Sequence, residues 1–124
     1  MNVRLSRGLV RFRVHRNEFA KLKEGEALEE RVYFPHGVFT FSVKVSDKDS
    51  QVSLADNVLT LVLSKESLEK VSTSGPLHDA ELKWQFPLED ATFLKVRFEV
   101  DAFSLKQKRP LQGDRSFPGK ETLL

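Results

Sequence analysis

The sequence predicts a β-rich α+β fold: a mainly antiparallel small barrel or sandwich of about six strands with two short helices. Three observations carry this. Apolar residues alternate with polar ones in "LVRFRV" (9–14), "VFTFSVKV" (38–45), "AELKWQF" (80–86) and "TFLKVRFEVDAF" (92–103), the period of two that marks a half-buried strand. Two eight-residue stretches, "HRNEFAKL" (15–22) and "SKESLEKV" (64–71), space their apolar residues as short helices do. Between these segments lie "KEGE", "PHG", "SDKDS" and "PLED", whose Gly, Pro and Asp residues favour turns.

Each element follows from its residues. In 9–14, Val10, Phe12 and Val14 fall on one face and Arg11 and Arg13 on the other. "ALEERVYF" (27–34) places Leu28, Val32 and Phe34 opposite Glu29, Arg31 and Tyr33. The Pro-His-Gly turn then joins it to a strand carrying Phe39, Phe41, Val43 and Val45, so the pair reads as a β-hairpin. "QVSLAD" is a short strand, Asp56-Asn57 a turn, and "VLTLVL" (58–63) is apolar on both faces, as expected of the most buried strand or of an edge hidden by a partner. Ser64 is placed to cap the second helix. Leu82, Trp84 and Phe86 share one face, as do Leu94, Val96, Phe98 and Val100.

The two parts of the chain share a pattern. Strand, helix, turn, strand, turn and strand follow in the same order from Val10 and again from Leu59. Val14 aligns with Leu63 at an offset of 49, and Phe34 with Phe86 at an offset of 52. The outline is of two pseudo-repeated β-α-β-β halves. One such unit leaves a bare apolar face, and two can close their faces on each other.

At 124 residues the chain has room for one domain, expected over 1–103, with 104–124 as a basic C-terminal tail anchored by no more than Leu111 and Phe117. There is no cysteine, which excludes disulfides, thiolate nucleophiles and Cys-ligated metals and points to the cytoplasm. No apolar run is long enough for a membrane span, and arginines interrupt the N-terminal segment where a signal peptide would be apolar. The formal charge of +2 is distributed as +5 over 1–25, −6 over 26–103 and +3 over the tail. The basic ends can thus pair with the acidic middle.

Several stretches resemble a family of small bacterial proteins of uncharacterised function: "VRFRVHRNEFAKL", "GEALEERVYF", "NVLTLVLS" and "KVRFEVDAF". The resemblance spans about residues 2–105. Glu18 matches the family's helix start, whereas His15 and Asn17 stand where that start has Thr and Ser. Near the end, Glu99, Asp101 and Phe103 match an acidic–aromatic terminus, with Ala102 extra and no cysteine following. The resemblance implies a compact fold and no assigned activity. More distantly, the strand–helix–Gly–strand unit looks like the half-unit of swapped-hairpin barrels that bind DNA.

Chemistry is sparse. His15, His36 and His78 lack the spacing of a local metal pair, no Gly-rich phosphate loop occurs, and neither cofactor nor metal is expected. Glu99 and Asp101, two apart on a strand and hence on one face roughly 7 Å apart, are the carboxylate candidates for a small enzyme. Lys95 and Arg97 on that face favour cross-strand ion pairs instead. Arg4, Arg11, Arg13 and Arg16 form a stripe able to meet a nucleic acid or another polyanion. The outward acids Glu29, Glu81, Glu99 and Asp101 favour self-pairing over ligand binding. Tyr33 on a polar face marks a candidate interface. The reading is a non-enzymatic binding or interaction module with a protein partner or a homodimer, ahead of polyanion binding and of a carboxylate-based enzyme.

Overall fold

The computed structural model describes residues 1–72 and 80–101; the expected 72–79 loop after its first residue, His78 and the tail lie outside them. Among the described residues, eight strands and two helices follow in the order β1 (Asn2–Ser6), β2 (Leu9–Val14), α1 (Arg16–Lys23), β3 (Leu28–Phe34), β4 (Gly37–Ser46), β5 (Gln51–Ala55), β6 (Val58–Ser64), α2 (Lys65–Ser72), β7 (Ala80–Pro87) and β8 (Phe93–Val100). They form two four-stranded sheets, β1-β2-β8-β7 (sheet A) and β3-β4-β6-β5 (sheet B). Neither sheet closes on itself, so the arrangement is sandwich-like rather than a barrel.

Each sheet is two antiparallel hairpins joined by a central parallel pair, β2 with β8 and β4 with β6. The first strand, Asn2–Ser6, is the element that the sequence pattern did not disclose. It raises the strand count to eight and extends the repeat to β-β-α-β-β. The halves exchange hairpins: sheet A takes the first hairpin of one half and the second of the other.

The ladder registers set the repeat precisely enough to correct its alignment. Val14 and Leu63 do correspond, because β2 and β6 hold the same place in their sheets. Phe86, however, pairs with Leu94, and its counterpart in sheet B is Val32 on Phe39, an offset of 54. Phe34 corresponds instead to Leu88.

The core obeys the same symmetry. Phe12 and Phe98 are adjacent in sheet A, Leu61 and Val43 occupy the matching sites in sheet B, and all four are fully buried. One hydrophobic cluster takes in both sheets and both helices. Phe19 and Leu22 of α1 and Leu68 and Val71 of α2 cover one end of it, the end where β2, β4, β6 and β8 finish. The "VLTLVL" strand is central, with Leu59, Leu61, Val62 and Leu63 buried. In β3 the predicted inward side is only partly realised. Leu28 is buried, yet Val32 and Phe34 are exposed on this edge strand.

The caps are local. Ser64 Oγ accepts the Ser67 backbone N–H at 3.1 Å, as an N-cap does for the third residue of the helix. Glu18 Oε1 accepts the His15 N–H at 2.9 Å, supplying the returning half of a capping box. α1 stops in a Schellman motif: Gly25 N–H donates to Leu22 O and Glu26 N–H to Lys21 O, each at 3.0 Å. Gly25 stands at φ +92°, a conformation that glycine adopts without penalty.

Candidate functional site

All four hairpin turns lie at the end opposite the helices. They are 7–8, 35–36, 56–57 and 88–92. The 56–57 turn has both residues at positive φ, 53° at Asp56 and 64° at Asn57, as a two-residue type I′ turn requires. The exposed large hydrophobic residues among the described ones are Leu5, Val32, Tyr33, Phe34, Val38, Leu54, Leu88 and Phe93. Every one sits within a few residues of these turns. Leu5 and Leu54 are counterparts under the repeat, as are Phe34 and Leu88, and Val38 and Phe93.

Between the sheets at this end lies an apolar hollow of about 340 Å³ whose wall includes Leu5, Val10, Leu54, Leu59, Phe86 and Leu88. A second, of about 450 Å³, lies around Phe34, Pro35, His36 and Val38. Phe39 lines both, so the apolar surface is continuous. Tyr33 is 74% exposed here, on the outer side of β3 as the alternation requires.

The arginine stripe resolves into separate fates. Arg4, Arg11 and Arg13 lie on the outer face of sheet A, since Val3, Val10, Phe12 and Val14 point inward. Arg13 Nη1 donates to Glu99 Oε1 at 2.6 Å, and its Nε lies 2.5 Å from Asp101 Oδ1. The latter is an ionic approach without hydrogen-bond alignment. Partial burial disfavours the Arg13 charge, but the Glu99 hydrogen bond and the attraction of Asp101 and Glu99 outweigh it and raise the guanidinium pKa. Arg11 Nε is 3.8 Å from the same Glu99 oxygen. Arg16, at the start of α1, donates from Nε to the Asp101 carbonyl at 3.1 Å. Arg4 has no carboxylate within ion-pair distance among the described residues.

Glu99 and Asp101 do share a face, but cations already occupy both. Asp101 Oδ2 also meets His15 Nδ1 at 3.2 Å. Among the described residues no group of three His, Cys, Asp or Glu side chains is placed to hold a metal ion. His36 is exposed in its turn, and Trp84 packs against the core as its alternation predicts.

At the helix end the two sheets are tied by the Met1 ammonium, 2.7 Å from Glu18 Oε2 and 2.9 Å from Glu30 Oε2. Partial burial works against both charged groups. The mutual hydrogen bonds prevail, so the Glu18 carboxyl is held below its ordinary pKa and the ammonium above. Glu30 is the inward-facing position of an edge strand, paired with Phe41, and an inward charge there blunts the edge against further pairing.

No helix among the described residues is long and apolar enough to cross a membrane. No curated protein and no solved structure matches this chain. The model of a family of unknown function, DUF7009, matches residues 1–118, reaching into the expected tail beyond the anticipated limit near residue 105. The chain belongs to that family.

Proposed function

We propose that this protein is a non-enzymatic interaction module that docks through its hairpin end, and that the occupant of that end is a second copy of the chain. The observation that carries the reading is the gathering of eight exposed large hydrophobic residues around the four turns. At 36–74% exposure they present on the order of 800 Å² of side-chain surface, about what one partner contributes to a standard-size interface. The continuous part of this surface runs between the sheets, where Leu5, Leu54 and Leu88 wall one hollow that meets Phe34 through Phe39. Tyr33, Val38 and Phe93 border it on the outer faces. Apolar surface gathered in this way marks an interaction site.

The repeat favours a second copy over an unrelated partner. A twofold dimer brings the same patch together from both sides, and this patch already carries its apolar residues in related pairs. Leu5 of one copy can therefore meet the Leu54 side of the other, and Phe34 the Leu88 side, in either pairing. Glu99 and Asp101 are engaged by Arg13, Arg11 and His15, which supports a binding rather than a catalytic reading. The absence of cysteine from all 124 residues fits the reducing cytoplasm.

The test is sedimentation equilibrium of the full chain at micromolar concentrations, beside Leu54→Ser and Leu88→Ser. Both residues are exposed in the monomer, so their thermal midpoints should stay near wild type while the dimer weakens. A wild-type chain that remains monomeric throughout, or variants that dimerise as tightly as wild type, would overturn the reading.

A further inference from the structure

The registers reveal a row of cations that no single stretch of sequence contains. Arg4 on β1 is opposite Arg11 on β2, Arg11 is beside Arg97 on β8, and Arg97 is opposite Lys83 on β7. Four positive side chains thus stand in one line across all four strands of sheet A, over roughly 14 Å at the usual strand spacing. Lys95 and Arg13 flank the line on the same face. With Glu81, Glu99 and Asp101 as the acids, six cations face three carboxylates.

The acids do not neutralise the row. Glu99 is committed to Arg13 at 2.6 Å and reaches Arg11 only at 3.8 Å. Glu81 lies 3.9 Å from both Lys83 and Arg97. Arg4 and Lys95 have no carboxylate within ion-pair distance among the described residues. Like charges directly opposite each other destabilise a sheet, so the row works against folding.

The fold does not require it. Under the internal repeat, the same four positions in sheet B are Ser53, Thr60, Ser42 and Glu29, likewise in one line. Hydroxyls and one acid serve there in the same architecture. The difference between the sheets is therefore a property of the outer surface, not of the core.

We infer that the outer face of sheet A binds the sugar–phosphate backbone of a nucleic acid, with Arg4, Arg11, Arg97 and Lys83 as the phosphate contacts. A line of charges suits a linear polyanion. The exposed large hydrophobic residues gather at the hairpin end and only Phe93 of them stands on this face, at its margin, which is too little for the apolar insertion that holds proteins on membranes. This exposed aromatic of the face, among the described residues, lies beyond Lys95 and outside the row, so recognition rests on phosphates and is insensitive to sequence.

The experiment is fluorescence anisotropy of the full chain with a labelled oligo(dT) strand and a labelled DNA duplex at roughly 50 and 200 mM salt. Vesicles of mixed neutral and anionic phospholipid form a parallel arm. Four phosphate contacts alone weaken binding between those salts by roughly 50-fold for a single strand and roughly 150-fold for a duplex. The combined variant Arg4→Ser, Arg11→Thr, Arg97→Ser, Lys83→Ser should lose that component of the salt dependence. Lys44→Ser, which removes a charge from sheet B's outer face, should keep it. If the combined variant fails to fold, Arg4→Ser and Lys83→Ser singly, on the edge strands, should each reduce the salt sensitivity by roughly threefold. The inference is overturned if neither nucleic acid binds at the lower salt, if the row variants keep the wild-type slope, or if only the vesicles bind.

Discussion

The Arg13–Glu99 contact allows the self-pairing of sheet A to be measured. The perturbation is a double-mutant cycle of Arg13→Gln, Glu99→Gln and both together. Glu99 retains 11% of its side-chain exposure and Arg13 35%, with 2.6 Å between them. A hydrogen bond to a charged group contributes about 1.5–3 kcal/mol, whereas exposed ion pairs contribute about 0.2–1 kcal/mol. A half-exposed donor on a mostly buried acceptor belongs between these, so the expected coupling is about 1–2 kcal/mol. Glu99→Gln alone should cost about 2 kcal/mol, since it also strips Arg11 of its nearest carboxylate. Urea denaturation followed by the fluorescence of Trp84, the single tryptophan, reads all four proteins. A coupling below about 0.3 kcal/mol, the level at which independent sites add, would refute the view that Glu99 is held by Arg13. In that case Glu99 would return as a free carboxylate beside Asp101.

Three further outcomes are expected. Ser64→Ala removes the cap on α2 and should cost about 1 kcal/mol, visible as a lower urea midpoint with an unchanged slope. Gly25→Ala forces an L side chain to a φ of +92° and should cost about 1–2 kcal/mol, although no neighbour would touch the added methyl. Stability should fall at both ends of the pH range. The depressed Glu18 pKa stabilises the fold above the unfolded value, and this contribution is lost as pH falls through the folded pKa. The raised Met1 ammonium pKa stabilises the fold below the unfolded value, and this is lost as pH rises through the folded pKa. Acetylating the Met1 amine should abolish its share of the alkaline decline in urea midpoints; an unchanged alkaline limb would count against the tie between the sheets.

Much of the fold is legible in the sequence because the inward residues alternate cleanly. Val10, Phe12 and Val14, or Val96, Phe98 and Val100, announce strands whatever they pair with. Strand β1 is less legible, since "NVRLS" offers just Val3 and Leu5 to the core and Leu5 is itself half exposed. The edge strand β3 misleads in the other direction: its Val32 and Phe34 have the inward spacing but no sheet above them. The candidate surfaces lie beyond reach of any window of sequence. Arg11 and Arg97 are neighbours because β2 and β8 pair, and the order β1-β2-β8-β7 is a property of closure, not of local pattern. The four turn ends that collect Leu5, Phe34, Leu54 and Leu88 likewise meet only once the hairpins are exchanged.

That exchange imposes an order of assembly. Sheet B is contiguous in the chain, and its central pair joins Thr40 to Val58, 18 positions apart. Sheet A must join Leu9 to Lys95, 86 positions apart, which adds about 1.4 kcal/mol of loop-closure entropy. During synthesis the β3-β4-β6-β5 sheet can therefore form while β2 still waits for its neighbour. Phe12 and Val14 stay without a strand beside them on that side until β8 leaves the ribosome. Emergence of β8, rather than collapse, then sets the moment at which sheet A closes.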